Sequence, residues 1–158
     1  MQKVRLGEYI GQIRGVSYKP TDLHKSLNND SVILLRANNI NEGEINFDDV
    51  VYVDKSKVKK EQYLKQGDIL VCASSGSKEL VGKAAFIKKD IPVTFGAFCK
   101  LIRPTGCCAE YLGHYFNSQI YRKKISHEKN SNTRCTRLFP RYRSPQVLPE
   151  RRNRTHLL

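Results

Sequence analysis

The sequence predicts an α+β fold: a curved sheet or partial β-barrel with a C-terminal amphipathic helix packed at one end. Three observations predict it. Short apolar, β-branched runs separated by turn residues occupy the chain as far as residue 104. The apolar period then lengthens to that of a helix. A length of 158 residues with 39% apolar content supports one hydrophobic core and little more.

The elements follow in order. Val32, Ile33, Leu34 and Leu35 form an apolar run of buried-strand length. Asn38, Asn39, Asn41 and Gly43 then supply turn chemistry. Val50, Val51, Tyr52 and Val53 make a second β-branched run, and the Lys-rich stretch 55–66 reads as a short helix or a solvated loop. Gly67 and Asp68 signal a turn before a clear strand at Ile69, Leu70, Val71, Cys72 and Ala73. A small polar loop, Ser74 to Ser77, separates it from a strand expected over 81–87. Ile91, Pro92 and Val93, then residues 97–102, close the β-rich part, and Pro104, Thr105 and Gly106 break the chain. Leu112, Phe116 and Ile120 recur every fourth residue, with Tyr111, Tyr115 and Tyr121 beside them. They predict one helix over 109–126.

Charge is the strongest clue to function class. Lys and Arg number 28 against 15 acids, a formal net charge of +13. Such a surface attracts polyanions by counterion release and steering, so nucleic acid is the expected partner. No run approaches the roughly 18 apolar residues of a membrane span, no basic amphipathic helix with a bulky apolar face is evident, and the N-terminus lacks a signal-peptide pattern. A cytoplasmic location without membrane association is expected. The five cysteines, an odd count, argue against a disulfide framework there.

Composition divides the chain into 1–128 and 129–158. Up to Lys129 there are 16 Lys and 5 Arg; beyond it there are 7 Arg, no Lys, and three of the six prolines. This Arg/Pro-rich tail of atypical composition reads either as a frameshifted end or as an Arg-rich arm for phosphate contacts.

Leu35-Arg36-Ala37-Asn38-Asn39-Ile40, Gln66-Gly67-Asp68-Ile69-Leu70-Val71 and four further stretches, taken in their order along the chain, together resemble the target-recognition domain of type I restriction–modification specificity subunits. Val4-Arg5-Leu6-Gly7-Glu8-Tyr9-Ile10 resembles the family's opening. Leu35-Arg36-Ala37-Asn38-Asn39-Ile40 with Glu42-Gly43-Glu44-Ile45 resembles its first recognition-strand segment. Gln66-Gly67-Asp68-Ile69-Leu70-Val71 with Ser74-Ser75-Gly76-Ser77 resembles its most typical internal motif. Val81-Gly82-Lys83-Ala84-Ala85 and Gly96-Ala97-Phe98-Cys99-Lys100-Leu101-Ile102-Arg103-Pro104 continue in order, and the stretch from Tyr111 to Arg122 resembles the closing helix. Each piece alone is weak; six in order and spacing are specific. The resemblance covers roughly residues 4–128 and implies a double-stranded DNA-binding module that supplies sequence choice to separate methyltransferase and restriction subunits. Past Lys129 the family's strand, proline-rich segment, long spacer helix and second domain are not matched. The chain therefore resembles a subunit shortened at its C-terminus, and the helices that would carry much of the assembly with modification subunits are missing from it.

Candidate DNA contacts follow from chemistry. Arg pairs bidentately with guanine, and Asn with adenine; Arg36, Asn38 and Asn39 end an apolar strand, where they either read bases or only build a turn. Ser74, Ser75, Ser77 and Lys78 form a small-residue loop able to approach a phosphate, or a plain hairpin loop; the P-loop spacing is absent. Arg14, Tyr18 and Lys19 mix cations with an aromatic ring and suit the backbone, or a solvated loop. Lys83, Lys88 and Lys89 are phosphate candidates, whereas Lys55, Lys57, Lys59 and Lys60 read as a solvated face.

Catalytic signatures are missing. Asp48 and Asp49 are adjacent, so in a strand they would face opposite sides. His24, His114, His127 and His156 are scattered, and no Ser is singled out as a nucleophile. Cys107 and Cys108 lack zinc-site spacing, while Cys72 and Cys99 lie in apolar strands as small hydrophobes. No catalytic site, metal or cofactor is expected. The alternative is an inactive shortened remnant that self-associates, for example as a homodimer, and binds DNA without sequence preference.

Overall fold

The computed structural model describes residues 6–128. Ten strands and two helices succeed one another in it: β1 (Ile10–Arg14), β2 (Leu23–His24), β3 (Ser31–Leu35), β4 (Ile40–Asn41), β5 (Glu44–Ile45), β6 (Val51–Asp54), β7 (Ile69–Cys72), β8 (Ala84–Phe86), β9 (Thr94–Phe95), β10 (Cys99–Pro104), α1 (Ala109–Asn117) and α2 (Gln119–Glu128). The 129–158 tail, and with it the frameshift reading, lies outside the described residues.

The α+β class holds, as two four-stranded sheets rather than a closed barrel. The first, ordered β1-β10-β7-β8, is antiparallel throughout. The second, β2-β6-β3-β9, is antiparallel except for the parallel pair β3–β9. Strands β4 and β5 form a hairpin of their own, which lies on the edge of the first sheet, where Phe86 N–H donates to Gly43 O at 3.0 Å. The sheets are joined at a corner. Just past β1, Val16 pairs in parallel with Gly96, just past β9. Val16 N–H donates to Phe95 O at 2.8 Å and Gly96 N–H to Leu35 O at 2.9 Å.

Layering explains the apolar runs. In β7 all four residues are buried. Ile69 and Val71 join Ile10, Ile102, Leu112, Phe116, Tyr121 and Ile125 on the helix side. Leu70 and Cys72 join Leu35, Phe95, Cys99 and Leu101 between the sheets. A strand covered on both faces loses the polar alternation of a half-exposed one and reads as a continuous apolar run. Across β3 the same alternation sends Leu35 inward, while Val32 and Leu34 face a third cluster with Val16 and Val53, covered by Tyr18, Val58 and Tyr63.

Several local expectations change. The 55–66 stretch forms two short 3-10 turns, Lys55–Lys57 and Lys60–Gln62. The strand expected over 81–87 shortens to β8, because Gly82 takes φ +82° before it. Ile91 makes only an isolated bridge to Leu64, and the pairing residues are Thr94 and Phe95. Residues 96–98 turn the chain before β10, with Cys99 N–H donating to Gly96 O at 2.9 Å.

The single helix expected over 109–126 is broken at Ser118. Its backbone is extended there (φ −76°, ψ 155°). The Ser118 hydroxyl donates to Tyr115 O at 2.7 Å, closing α1, and accepts from Tyr121 N–H at 3.2 Å, opening α2. Serine competes with helical backbone bonds in this way, favouring helix ends over interiors. The break shifts the phase of the second helix. Ile120, expected on the core face, is 64% exposed, and Tyr121 and Ile125 are buried instead. Tyr121 packs its ring 4.9 Å from Phe116 and 5.9 Å from Tyr115, centroid to centroid. Ile125→Val is therefore expected to cost about 1 kcal/mol, whereas Ile120→Ser should stay within about 0.5 kcal/mol. Urea denaturation of both variants checks the phase; the reverse ranking would contradict it.

Candidate nucleic-acid interface

Strand direction gathers the loops. At one end of the first sheet Arg14 is opposite Lys100, Cys99 opposite Cys72, and Val71 opposite Ala84. The segments that leave those positions are 15–19, 96–98, 73–78 and Lys83. The second sheet adds Arg36, which directly follows Leu35 where that residue bonds Gly96. Arg14, Tyr18, Lys19, Ser74, Ser75, Ser77, Lys78 and Lys83 thus come to one end of the first sheet, at or beside the corner.

The first segment is built on backbone contacts. Arg14 is exposed, and its carbonyl accepts from Gln62 Nε2 at 2.8 Å. Gln62 is itself buried, and its own carbonyl accepts from Thr94 Oγ1 at 2.9 Å. At Gly15 a Cβ would lie 2.1 Å from Gly96 O, so the two backbones touch there. Tyr18 is half-buried against the third cluster, and Lys19 is exposed at the start of a 3-10 turn, its N–H donating to Asp22 at 2.8 Å.

In the second segment Ala73 and Ser74 N–H both donate to Phe98 O, at 2.9 and 3.0 Å, and Ser77 N–H donates to Ser75 Oγ at 3.2 Å. Those three amides are engaged within the protein, which leaves the hydroxyls as the loop's distinctive groups. Ser77 and Lys78 are exposed; Ser74, Ser75 and Lys83 are half-exposed.

The third segment is more self-contained than its composition implies. Asn39 is fully buried. Its Oδ1 accepts from Arg36 N–H at 2.8 Å and its Nδ2 donates to Asp48 O at 2.7 Å. In this conformation it shapes the loop and offers no base-reading edge. Arg36 donates to the Asp49 carboxylate and carbonyl at 2.8 and 2.7 Å, and Asn38 Nδ2 reaches the same carboxylate at 3.1 Å. Asp49 holds φ +52°, a left-handed conformation that short polar residues tolerate best. Arg36 and Asn38 are therefore pre-positioned by one exposed acid.

Two features were not legible as site features in the sequence. Asp68, from the Gly-Asp-Ile-Leu stretch, is buried and binds Arg103 bidentately, Nε to Oδ1 at 2.8 Å and Nη2 to Oδ2 at 2.7 Å. Arg103 also donates to Tyr63 O at 3.2 Å, and the Asp68 carboxylate accepts from Lys65 N–H at 2.9 Å. The hydrogen bond that Arg103 donates to Asp68 raises the guanidinium pKa further. This clamp fixes the 59–68 segment, and through Gln62 the end of β1. The other feature is Phe98, expected inside a strand but found 70% exposed at the turn.

Burial pushes the Cys99 thiol well above its usual range. Among the described residues no group of three or more His, Cys, Asp or Glu side chains could hold a metal ion. No helix among them is long and apolar enough to cross a membrane.

Fold and strand-end loops together define a small basic α+β module, and a solved chain shares the fold. It comes from work on the structural basis of complex assembly and conformational transition of the type I R-M system. The TM-score is 0.52 at 16% identity, covering 77% of this chain and 29% of that one. Two curated relatives are more similar in sequence. The chain is 41% identical over 115 residues to the type I restriction enzyme StySPI specificity subunit of Salmonella potsdam and to the EcoKI specificity subunit of Escherichia coli (strain K12). No protein-family profile matches. The match takes in 72% of this chain and 25% of each relative, so the chain spans about a quarter of their length. Over those 115 residues the chain is thus similar to specificity subunits of type I restriction enzymes.

Proposed function

We propose that residues 1–128 form a target-recognition domain that binds double-stranded DNA in a sequence-specific manner. In a complete type I system such a domain would direct methyltransferase and restriction subunits to their site, and it would have no catalytic centre of its own. The observation that carries this reading is the 41% identity over 115 residues to two specificity subunits. The strand-end loops support it physically. Arg14 and Lys100 are directly opposite on adjacent strands, which brings two cationic residues to that end of the first sheet. Arg14, Lys19, Lys78 and Lys83 suit phosphates, Tyr18 and the Ser74, Ser75 and Ser77 hydroxyls suit the backbone, and Arg36 and Asn38 suit base edges once released from Asp49. Asn39 acts through the loop it holds.

The test is selection of a randomised duplex pool by the purified chain at two salt concentrations. Enrichment of a short defined sequence is the expected result. Salt-sensitive binding without enrichment would favour the remnant reading, and absence of binding at low salt would overturn the DNA assignment. Arg14→Ala should weaken binding to all sequences alike and lower the slope of log K against log salt by about 1. An unchanged slope would remove Arg14 from the interface.

A further inference from the structure

The geometry points to Phe98 as a specificity-determining residue that makes an apolar contact with the bases, an inference that rests on the DNA-binding reading above. Its side chain is 70% exposed, the most exposed of the large hydrophobic residues among those described. Such exposure is ordinary for a lone surface residue; its setting here is not. The turn that carries it is pinned on every side. Gly96 N–H is held by Leu35 O, and Gly96 pairs with Val16. Cys99 N–H closes the turn onto Gly96 O at 2.9 Å. Phe98 O itself accepts two amides, from Ala73 and Ser74. Both sheets and the Ser74–Ser77 loop therefore fix the backbone from which the ring projects. The backbone that carries the ring adjoins the Ser74–Ser77 loop, and one residue on from Cys99 the Arg14–Lys100 pair sits on the neighbouring strands, so groups that suit phosphates and would draw a duplex lie at the same end of the sheet.

A rigidly mounted phenyl group cannot bind phosphate. Against DNA it is suited to an apolar contact in a groove, touching a thymine methyl group or wedging at a base step. Because the backbone that carries the ring is already fixed, only the rotamers of one side chain need ordering on contact. Phosphate anchoring and base contact would then be divided between the cations and one aromatic ring at the same corner.

The experiment uses the full chain, its selected duplex, and the variants Phe98→Ala, Phe98→Trp and Arg14→Ala, with binding followed by anisotropy across a salt series. Phe98→Ala is expected to weaken binding about tenfold at every salt concentration. Its log–log slope should be unchanged, since no cation is lost. Its own selection should lose base preference at one or two positions, while Phe98→Trp retains them. Thermal melting of Phe98→Ala should match the parent chain, because the ring is not in the core. Wild-type affinity in Phe98→Ala, or weakened binding with every base preference intact, would overturn the assignment while leaving the DNA reading standing. Failure of the parent chain to bind would overturn both.

Discussion

Asp68→Ala should destabilise the protein by about 3 kcal/mol, the lower part of the range for breaking a buried ion pair by removing one partner. The asymmetry of the pair sets that position. The Asp68 side chain retains 1% exposure and Arg103 retains 24%, so water partly relieves the orphaned guanidinium. The loss has two parts. Arg103 would keep its neighbours Glu61 O and Tyr63 O but lose its paired carboxylate, leaving only the weaker pull of the Glu61 charge, and Lys65 N–H would lose its acceptor. Arg103→Met placed with Asp68→Ala should recover part of the loss, because an apolar side chain leaves no unpaired charge behind. Urea denaturation of the single and double variants measures both effects. A single-variant loss under about 1 kcal/mol would mean that the clamp contributes no more than a surface pair. Since the same segment carries Gln62, which holds the Arg14 carbonyl, Asp68→Ala should also weaken DNA binding if the proposed function holds.

Gly15→Ala is expected to be at least as costly, more than about 3 kcal/mol, in the tail reserved for specific mechanisms. Here the mechanism is backbone collision. An added methyl would lie 2.1 Å from Gly96 O, 2.4 Å from Gly96 C and 2.8 Å from Phe95 O. None of these atoms is the end of a flexible side chain, so the methyl can be accommodated only by separating the two strands. Separation breaks the bond from Val16 N–H to Phe95 O and with it the joint between the sheets. Gly76→Ala is the control: nothing lies within 4 Å of a Cβ there, and its stability should be near that of the parent. Equal midpoints for the two variants in urea would show that the corner tolerates an opening.

Half of the ten strands, β3, β6, β7, β8 and β10, were legible because they are buried on one or both faces. The runs at 32–35, 50–53 and 69–73 became β3, β6 and β7 with boundaries shifted by a residue or so. Two-residue strands such as β2, β4 and β9 were not legible, since a pair of residues has no period to detect. The helix was legible as a helix, but its face was misjudged beyond Ser118, where one hydroxyl resets the phase. Candidate site residues were chosen by chemistry and position along the chain. Cations and serines at strand ends were singled out, yet Asn39 proved buried and Arg36 engaged by Asp49, while Phe98 was taken for a strand residue.

By itself the sequence determined the net charge of +13, the α+β class, and the resemblance to specificity subunits, because composition, periodicity and motif order are read along the chain and survive without coordinates. Only the tertiary structure decided that Gly15 and Gly96 touch, that Asp68 and Arg103 pair across 35 positions, and that loops from residues 14, 36, 74 and 98 meet at one corner. Those facts depend on register and strand order, which bring together residues that no spacing along the chain connects.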